Sequence, residues 1–118
     1  MSQEIDTPEG KIIFSSEVIA TIAGLAAMEC YGVVGMAARS LHDGLAGILG
    51  RENLTRGVQV ASQDGGLVVT LGIIVGYGTR ISEVAGNVVD RVRYSIEEAT
   101  GLKVRRVNID VQGVKVAP

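Results

Sequence analysis

The fold is decided by residues 67 to 111, which read LVVTLGIIVGYGTRISEVAGNVVDRVRYSIEEATGLKVRRVNIDV. The first nine residues are apolar at almost every position, which is typical of a central strand covered on both faces. Apolar residues then recur at helical spacing from Ile81 to Thr100, and they alternate with polar residues from Val107 to Val111. This order predicts a buried strand, a glycine turn, a helix and a half-buried strand.

The predicted helix carries its own boundary residues. Thr79 is the expected N-cap, because a hydroxyl can accept a hydrogen bond from an early helical N–H. Gly101 is the expected C-terminal glycine. Arg93 and Glu97 lie one turn apart, so we expect them to form an ion pair on the exposed side of the helix.

The N-terminal half predicts a second helix between two strands. A short strand at Lys11 to Phe14 precedes the helix at residues 16 to 30, whose N-cap is Ser15 or Ser16, and Val33 to Ala37 follows as a strand. Both halves of the chain therefore have the order strand, helix, glycine, strand, which suggests that both contribute to one sheet with its helices on one side.

The middle of the chain predicts a hairpin after an irregular connection. Asp64-Gly65 favours positive φ and joins predicted strands at residues 58 to 62 and 67 to 75. Residues 38 to 57 are rich in glycine and are predicted to be a variable connection with about two helical turns. The apolar face of those turns would consist of Leu41, Leu45, Ile48 and Leu49.

Together these elements predict a single α+β domain at residues 11 to 116, preceded by a flexible polar arm at residues 1 to 10. The architecture is a two-layer sandwich, with a mixed sheet of four to five strands and two main helices on one face.

The composition excludes several classes of protein. The formal net charge is −2, so there is no overall basic field to attract nucleic acid. Cys30 is the only cysteine, which excludes an internal disulfide and favours the cytoplasm. The acidic N-terminus does not resemble a signal peptide, and the apolar runs are too short to insert directly into a membrane.

Catalytic and metal-binding residues are scarce. Cys30 with His42 and Asp43 is the one conceivable nucleophilic set. A cysteine that ends an apolar helix usually behaves as a small hydrophobe, however, and a single histidine with a single cysteine cannot complete a metal site. The sequence therefore predicts a protein that is not an enzyme and that has no cofactor, no metal and no catalytic residues.

The turn GYGTRIS, residues 76 to 82, leaves two interpretations open. Gly76 and Gly78 would allow a tight connection from strand to helix. Alternatively, backbone N–H groups at the helix start, together with Gly78, Thr79 and Arg80, would bind an anion. The chain lacks both the third glycine of a dinucleotide fingerprint and the lysine of a P-loop, which favours the simple turn.

A second short pattern provides the alternative function, RNA binding. Gly47 and Gly50 form a GxxG that Arg51 follows, as in the loop with which KH domains clamp a nucleic-acid backbone. Such a pattern is common in a glycine-rich chain, and apolar residues stand between these two glycines. Nucleic acid is therefore the less favoured partner.

Association with proteins is the favoured function. If both helices cover one face of the sheet, then Ile13, Val68 and Ile74 are expected on the other face. Such an apolar row marks either a contact with a protein, including a second copy of the chain, or the place where residues 38 to 57 fold over the sheet.

One combination of motifs resembles the alkaline shock protein family of Gram-positive bacteria. It consists of Tyr77-Gly78 after an apolar strand, Ile81 to Ala85, Thr100 to Leu102, and Val107 to Val114, and the N-terminal half from Lys11 to Ala37 is also similar. The resemblance implies a cytoplasmic, self-assembling protein of the envelope or stress response, without established enzymatic activity. It also implies protein partners, one of which would be membrane-anchored and would hold the chain near the membrane.

Overall fold

The computed structural model describes residues 2–37, 48–49 and 55–116 of the chain. The elements in these ranges are β1 (Ser2–Thr7), β2 (Gly10–Ser15), α1 (Ser16–Met28), β3 (Val33–Ala37), β4 (Ile48–Leu49), β5 (Val58–Gln63), β6 (Gly66–Gly76), α2 (Ile81–Thr100) and β7 (Val104–Lys115). β1 and β2 form a two-stranded antiparallel sheet, and the other five strands form one mixed sheet. The predicted α+β class, with a mixed sheet and two main helices, is confirmed.

The mixed sheet is organised around β6. β7 runs parallel to β6 along one edge, from Leu67 to Gly76. β3 and β5 both pair antiparallel with β6, and because β7 occupies one edge over the whole length, they must share the other. β5 pairs with Gly66 to Leu71 and β3 with Ile73 to Val75, so these two strands lie end to end. The chain therefore leaves this edge after β3 and returns to the same edge as β5.

Gly72 lies at the junction between β3 and β5. A Cβ atom at this position would lie 2.4 Å from the carbonyl oxygen of Ala37 and 3.2 Å from Nε2 of Gln112. The first of these neighbours is backbone at the end of β3, so it cannot move aside as a flexible side chain would. The absence of a side chain at residue 72 thus lets two strands meet along one edge of β6.

The core lies between the sheet and the two helices. Alternate residues of β6 are almost completely buried on the helix side: Leu67, Val69, Leu71, Ile73 and Val75. They pack in one cluster with the apolar stripe of α2, which comprises Val84, Val88, Val92 and Ile96. Burying one such side chain contributes about 1.5–3 kcal/mol, so the contact between β6 and α2 stabilises the fold strongly.

The ends of the helices differ in part from the sequence prediction. Ser15 caps α1, because its side chain accepts a hydrogen bond from the N–H of Val18. Gly101 ends α2 with a φ of 77° and is confirmed as its C-terminal glycine. Thr79 is not the N-cap of α2, since that position is Arg80 and the Thr79 hydroxyl instead donates to the carbonyl of Gly76 at 2.8 Å.

The predicted ion pair between Arg93 and Glu97 is wrong. Nη1 of Arg93 donates to the carbonyl of Val104 at 3.0 Å, and Oε2 of Glu97 accepts from the N–H of Val104 at 2.9 Å. Both side chains therefore satisfy the backbone of the first residue of β7, and this backbone competes successfully with the partner one turn away.

The N-terminal half also departs from the prediction. The structure has β1 where the sequence predicts a flexible arm, and it pairs with β2 through cross-strand neighbours such as Ile5 and Ile12. β2 does not join the mixed sheet, so the similar element order of the two halves does not produce equivalent positions. Ile48 and Leu49, predicted on a helix, form β4 beside β3, whereas Leu41 and Leu45 lie outside the described residues.

Candidate interaction surface

The sheet has one face that is turned away from the helices, which we call the open face. Its residues are the alternate positions of β6 and their cross-strand neighbours: Gln59, Ala61, Gln63, Val68, Thr70, Gly72, Ile74, Arg106, Asn108 and Asp110. Asn108 donates to the Thr70 hydroxyl at 3.3 Å, and Gln112 donates to the Asp110 carboxylate at 3.2 Å. The open face is consequently polar over most of its area.

The three predicted protein-contact residues do not come together. Val68 is half-buried and Ile74 is only 8% exposed, and they lie six positions apart on β6, which corresponds to about 20 Å. Ile13 is 60% exposed but belongs to the β1–β2 sheet. The apolar row expected from the sequence is therefore divided between two sheets, and a role for these residues in protein contact remains a prediction.

A different apolar surface lies on the outside of the helix layer. The first part is an open groove of about 370 Å³ between the two helices, lined by Ile22, Leu25, Ala26, Glu29, Tyr94, Ser95, Glu98 and Ala99. The second part, about 420 Å³, shares Glu29 and Tyr94 with the first and adds Cys30, Tyr31, Asn87, Asp90 and Arg91. We call the two parts together the helix groove.

The helix groove combines exposed aromatic rings with fixed charges. Tyr31 is 86% exposed and Tyr94 is 64% exposed, although the chain has few aromatic residues. In the same part of the groove, Arg91 and Glu29 form an ion pair at 2.8 Å that joins α2 to the end of α1. Tyrosine offers a large contact area and a hydroxyl at little entropic cost, which suits it to protein interfaces.

Cys30 lies in the wall of the helix groove, and its thiol is half-buried. Its Sγ atom donates to the carbonyl of Ala26 at 3.5 Å. Burial raises the pKa of the Cys30 thiol, Arg91 lowers it to a smaller extent, and Glu29 raises it further. The thiolate that nucleophilic catalysis requires is therefore disfavoured near neutral pH. His42 and Asp43 lie outside the described residues.

Comparison with known proteins places the chain in a family. The model of the alkaline shock protein family, described by a cell envelope-related function, matches residues 4–116. The chain belongs to this alkaline shock protein family. The uncharacterized Bacillus subtilis protein YloU is 51% identical to it over 98% of both chains, and an uncharacterized Streptococcus pyogenes protein is 42% identical over 98% of this chain and 97% of its own length. No solved structure matches.

Family membership confirms the resemblance that the sequence motifs indicated. A third relative, the uncharacterized protein YqhY of Bacillus subtilis, is 33% identical over 93% of this chain and 81% of its own length. Among the described residues of this alkaline shock family chain, no helix is long and apolar enough to cross a membrane, and no three potential metal-binding side chains cluster together.

The turn before α2 has the geometry of a corner. Gly78 has a φ of +94°, and Thr79 closes the turn through its bond to Gly76. Arg80 is exposed, with its guanidinium 3.8 Å from the carboxylate of Glu83. Anion binding at this turn remains an untested prediction.

The predicted RNA-binding loop is only partly described. Gly47, Gly50 and Arg51 lie outside the described residues. The two residues between the glycines, Ile48 and Leu49, form β4 and pair with Met36 and Ala37. A KH clamp joins two helices, so a strand at its centre differs from that arrangement.

Sequence reasoning missed the helix groove for a definable reason. The exposure of Tyr94 follows from its position on α2 opposite the apolar stripe, but the position of Tyr31 in the same groove depends on how α1 packs against α2. The useful indication was compositional. The chain has few aromatic residues and its tyrosines are exposed, so the tyrosines do not serve the core.

Proposed function

We propose that this protein is a non-enzymatic, self-associating protein-interaction module that serves the cell envelope. Its family supports the site of action, since the matching model is described by an envelope-related function. The helix groove is the observation that carries the interaction role, because it exposes apolar and aromatic groups beside paired charges. RNA binding receives no support from the family.

In this proposal the helix groove binds another protein, and a membrane-anchored partner would bring the chain to the envelope. The groove has an apolar floor along Ile22 and Leu25 and acidic residues, Glu98 and Asp90, at its rim. An apolar segment of a partner with flanking basic residues matches this arrangement.

The absence of a role in catalysis is also part of the proposal. The thiolate form of the one cysteine is disfavoured, and the tyrosines are on open surfaces rather than in an enclosed site. Enzyme sites usually enclose most of their substrate, whereas the helix groove is open to solvent along its length.

Fractionation of the host cell tests the role of the helix groove. We expect the tagged parent protein to sediment with membranes and the Tyr94→Glu variant to move to the supernatant, because a carboxylate in the groove would need to be desolvated on binding. Tyr77→Glu is the matched control, since Tyr77 is 76% exposed on the turn before α2 and does not line the groove. Equal distributions of the parent and the Tyr94→Glu variant would contradict the proposal.

Self-association is tested separately by light scattering on the purified chain. The proposal expects a mass above that of one 12.3 kDa chain, and a mass that increases with protein concentration. A constant monomer mass up to millimolar concentration would remove this part of the proposal and leave the groove unaffected.

A further inference from the structure

The outer edge of β7 lacks a strand partner among the residues that the structure describes. β7 has 12 residues and pairs with β6 on one side. An exposed edge of this length presents a row of N–H and C=O groups and is a template for another strand. Short edge strands, prolines or covering loops usually prevent such pairing, and β7 contains no proline.

The outward groups of β7 can be identified from two hydrogen bonds at the ends of the strand. The N–H of Leu67 donates to the carbonyl of Lys103, and the N–H of Tyr77 donates to that of Lys115. The odd-numbered residues of β6 therefore bond to β7, and their cross-strand neighbours on β7 point their own backbone groups outward. These neighbours are Val104, Val107, Ile109, Val111 and Val114.

Only part of this edge is available for regular pairing. The backbone C=O and N–H of Val104 already form hydrogen bonds with the side chains of Arg93 and Glu97. The register of β7 shifts near Leu67 and again after Ile73. Between these irregularities, Arg106 to Val111 forms a continuous segment, in which Ile109 and Val111 are only partly buried on the helix side.

The charges on this segment are self-complementary. Arg106 and Asp110 are both on the open face, because they pair with Val68 and Gly72. They lie four residues apart on one strand, about 13 Å, which is too far for an ion pair between them. Asn108 lies midway. An antiparallel second copy that places Asn108 opposite itself would bring each Arg106 opposite an Asp110.

We infer that two copies of this protein associate through β7, antiparallel about a two-fold axis at Asn108. This assignment rests on the proposed self-association and specifies its surface. Val107 of one copy and Ile109 of the other are then hydrogen-bonded pairs, since both point outward. Asn108 and the two Arg106–Asp110 pairs are non-hydrogen-bonded pairs, in which side chains are closest. The two mixed sheets, five strands each, become one continuous sheet.

Charge reversal tests both the surface and the register. Arg106→Asp places two aspartates opposite each other at each of two sites, and Asp110→Arg does the same with arginines. We expect each variant alone to dissociate at a concentration about tenfold higher than the parent. When the two variants are mixed, a dimer that contains one copy of each has only Asp–Arg pairs. The mixture is therefore expected to associate as the parent does. Circular dichroism and melting temperature establish that each variant is folded.

A disulfide provides an independent measurement of the register. In a Cys30→Ala background, the Asn108→Cys substitution would place the cysteines of the two copies opposite each other. Their Cα atoms would be about 4.5 Å apart, which is within the range for a disulfide. We expect rapid oxidation to a covalent dimer. Ala61→Cys is the control, because Ala61 lies on the open face but on β5, at the opposite side of the sheet.

The outcomes separate the inference from the proposal on which it rests. A parent chain that stays monomeric would overturn both self-association and the β7 surface. An associating parent whose mass is unaffected by either reversal, or whose variants fail to associate when mixed, would overturn the β7 surface alone. Weaker single variants, recovery in the mixture and selective oxidation at residue 108 together support the inference.

Discussion

At the scale of single residues, a crowded glycine, Gly72, and an uncrowded one, Gly86, test the end-to-end arrangement of β3 and β5. Gly72→Ala would force a Cβ atom against the Ala37 carbonyl, so we expect it to lower the free energy of unfolding by about 1–3 kcal/mol. Gly86, on the exposed side of α2, has no atom within 4 Å of its virtual Cβ. Gly86→Ala should therefore raise the free energy of unfolding by about 0.5–1 kcal/mol through helix propensity. Urea denaturation measures both, and equal effects would contradict the close contact at Gly72.

Cys30 allows a prediction about pH. Because burial raises the pKa of its thiol, a smaller fraction is thiolate at a given pH in the folded chain than in the unfolded chain. The rate of alkylation by iodoacetamide as a function of pH measures this difference. We expect the rise in this rate to occur at a higher pH for the native protein than for the same protein unfolded in urea. A native profile at lower pH than the unfolded profile would indicate an activated cysteine, and would reopen the question of catalysis.

At the scale of elements, α2 holds the start of β7 through two long side chains. Glu97→Ala would leave the N–H of Val104 without its acceptor, and we expect a loss of about 1–2 kcal/mol of stability. Glu98→Ala removes an adjacent, more exposed carboxylate and is expected to change stability by less than about 0.5 kcal/mol. Thermal or urea unfolding compares the two variants, and similar losses would show that Val104 does not depend on Glu97.

The same elements show how far the sequence predicts this fold. The bounds of α2 and the hairpin at Asp64-Gly65 were predictable, because a long apolar stripe and a turn residue with a φ of 49° are determined locally. The placement of β2 outside the mixed sheet was not, since its apolar residues suit either sheet. Nor was the end-to-end arrangement of β3 and β5, which depends on strand pairing across residues 38 to 57. The helix groove was missed for the same reason, because it exists only once two helices are packed.

At the scale of the whole molecule, the two proposed surfaces cooperate. A two-fold axis that joins two copies edge to edge within one sheet is perpendicular to that sheet, so both helix layers lie on the same side. A dimer through β7 would therefore present two helix grooves in one direction, and two weak contacts on one membrane reinforce each other.

This geometry predicts how the Arg106→Asp variant behaves in cells. It retains an intact groove but loses bivalency, so we expect it to sediment with membranes less completely than the parent and more completely than Tyr94→Glu. Co-expression of the Asp110→Arg variant restores the Asp–Arg pairs and is expected to return the Arg106→Asp chain to the membrane fraction. The control is co-expression of Gly86→Ala, which leaves β7 unchanged and is expected to have less effect. Quantitative fractionation of differently tagged chains measures this. A membrane-bound fraction of Arg106→Asp equal to that of the parent would show that each groove binds independently and that association through β7 does not contribute to recruitment.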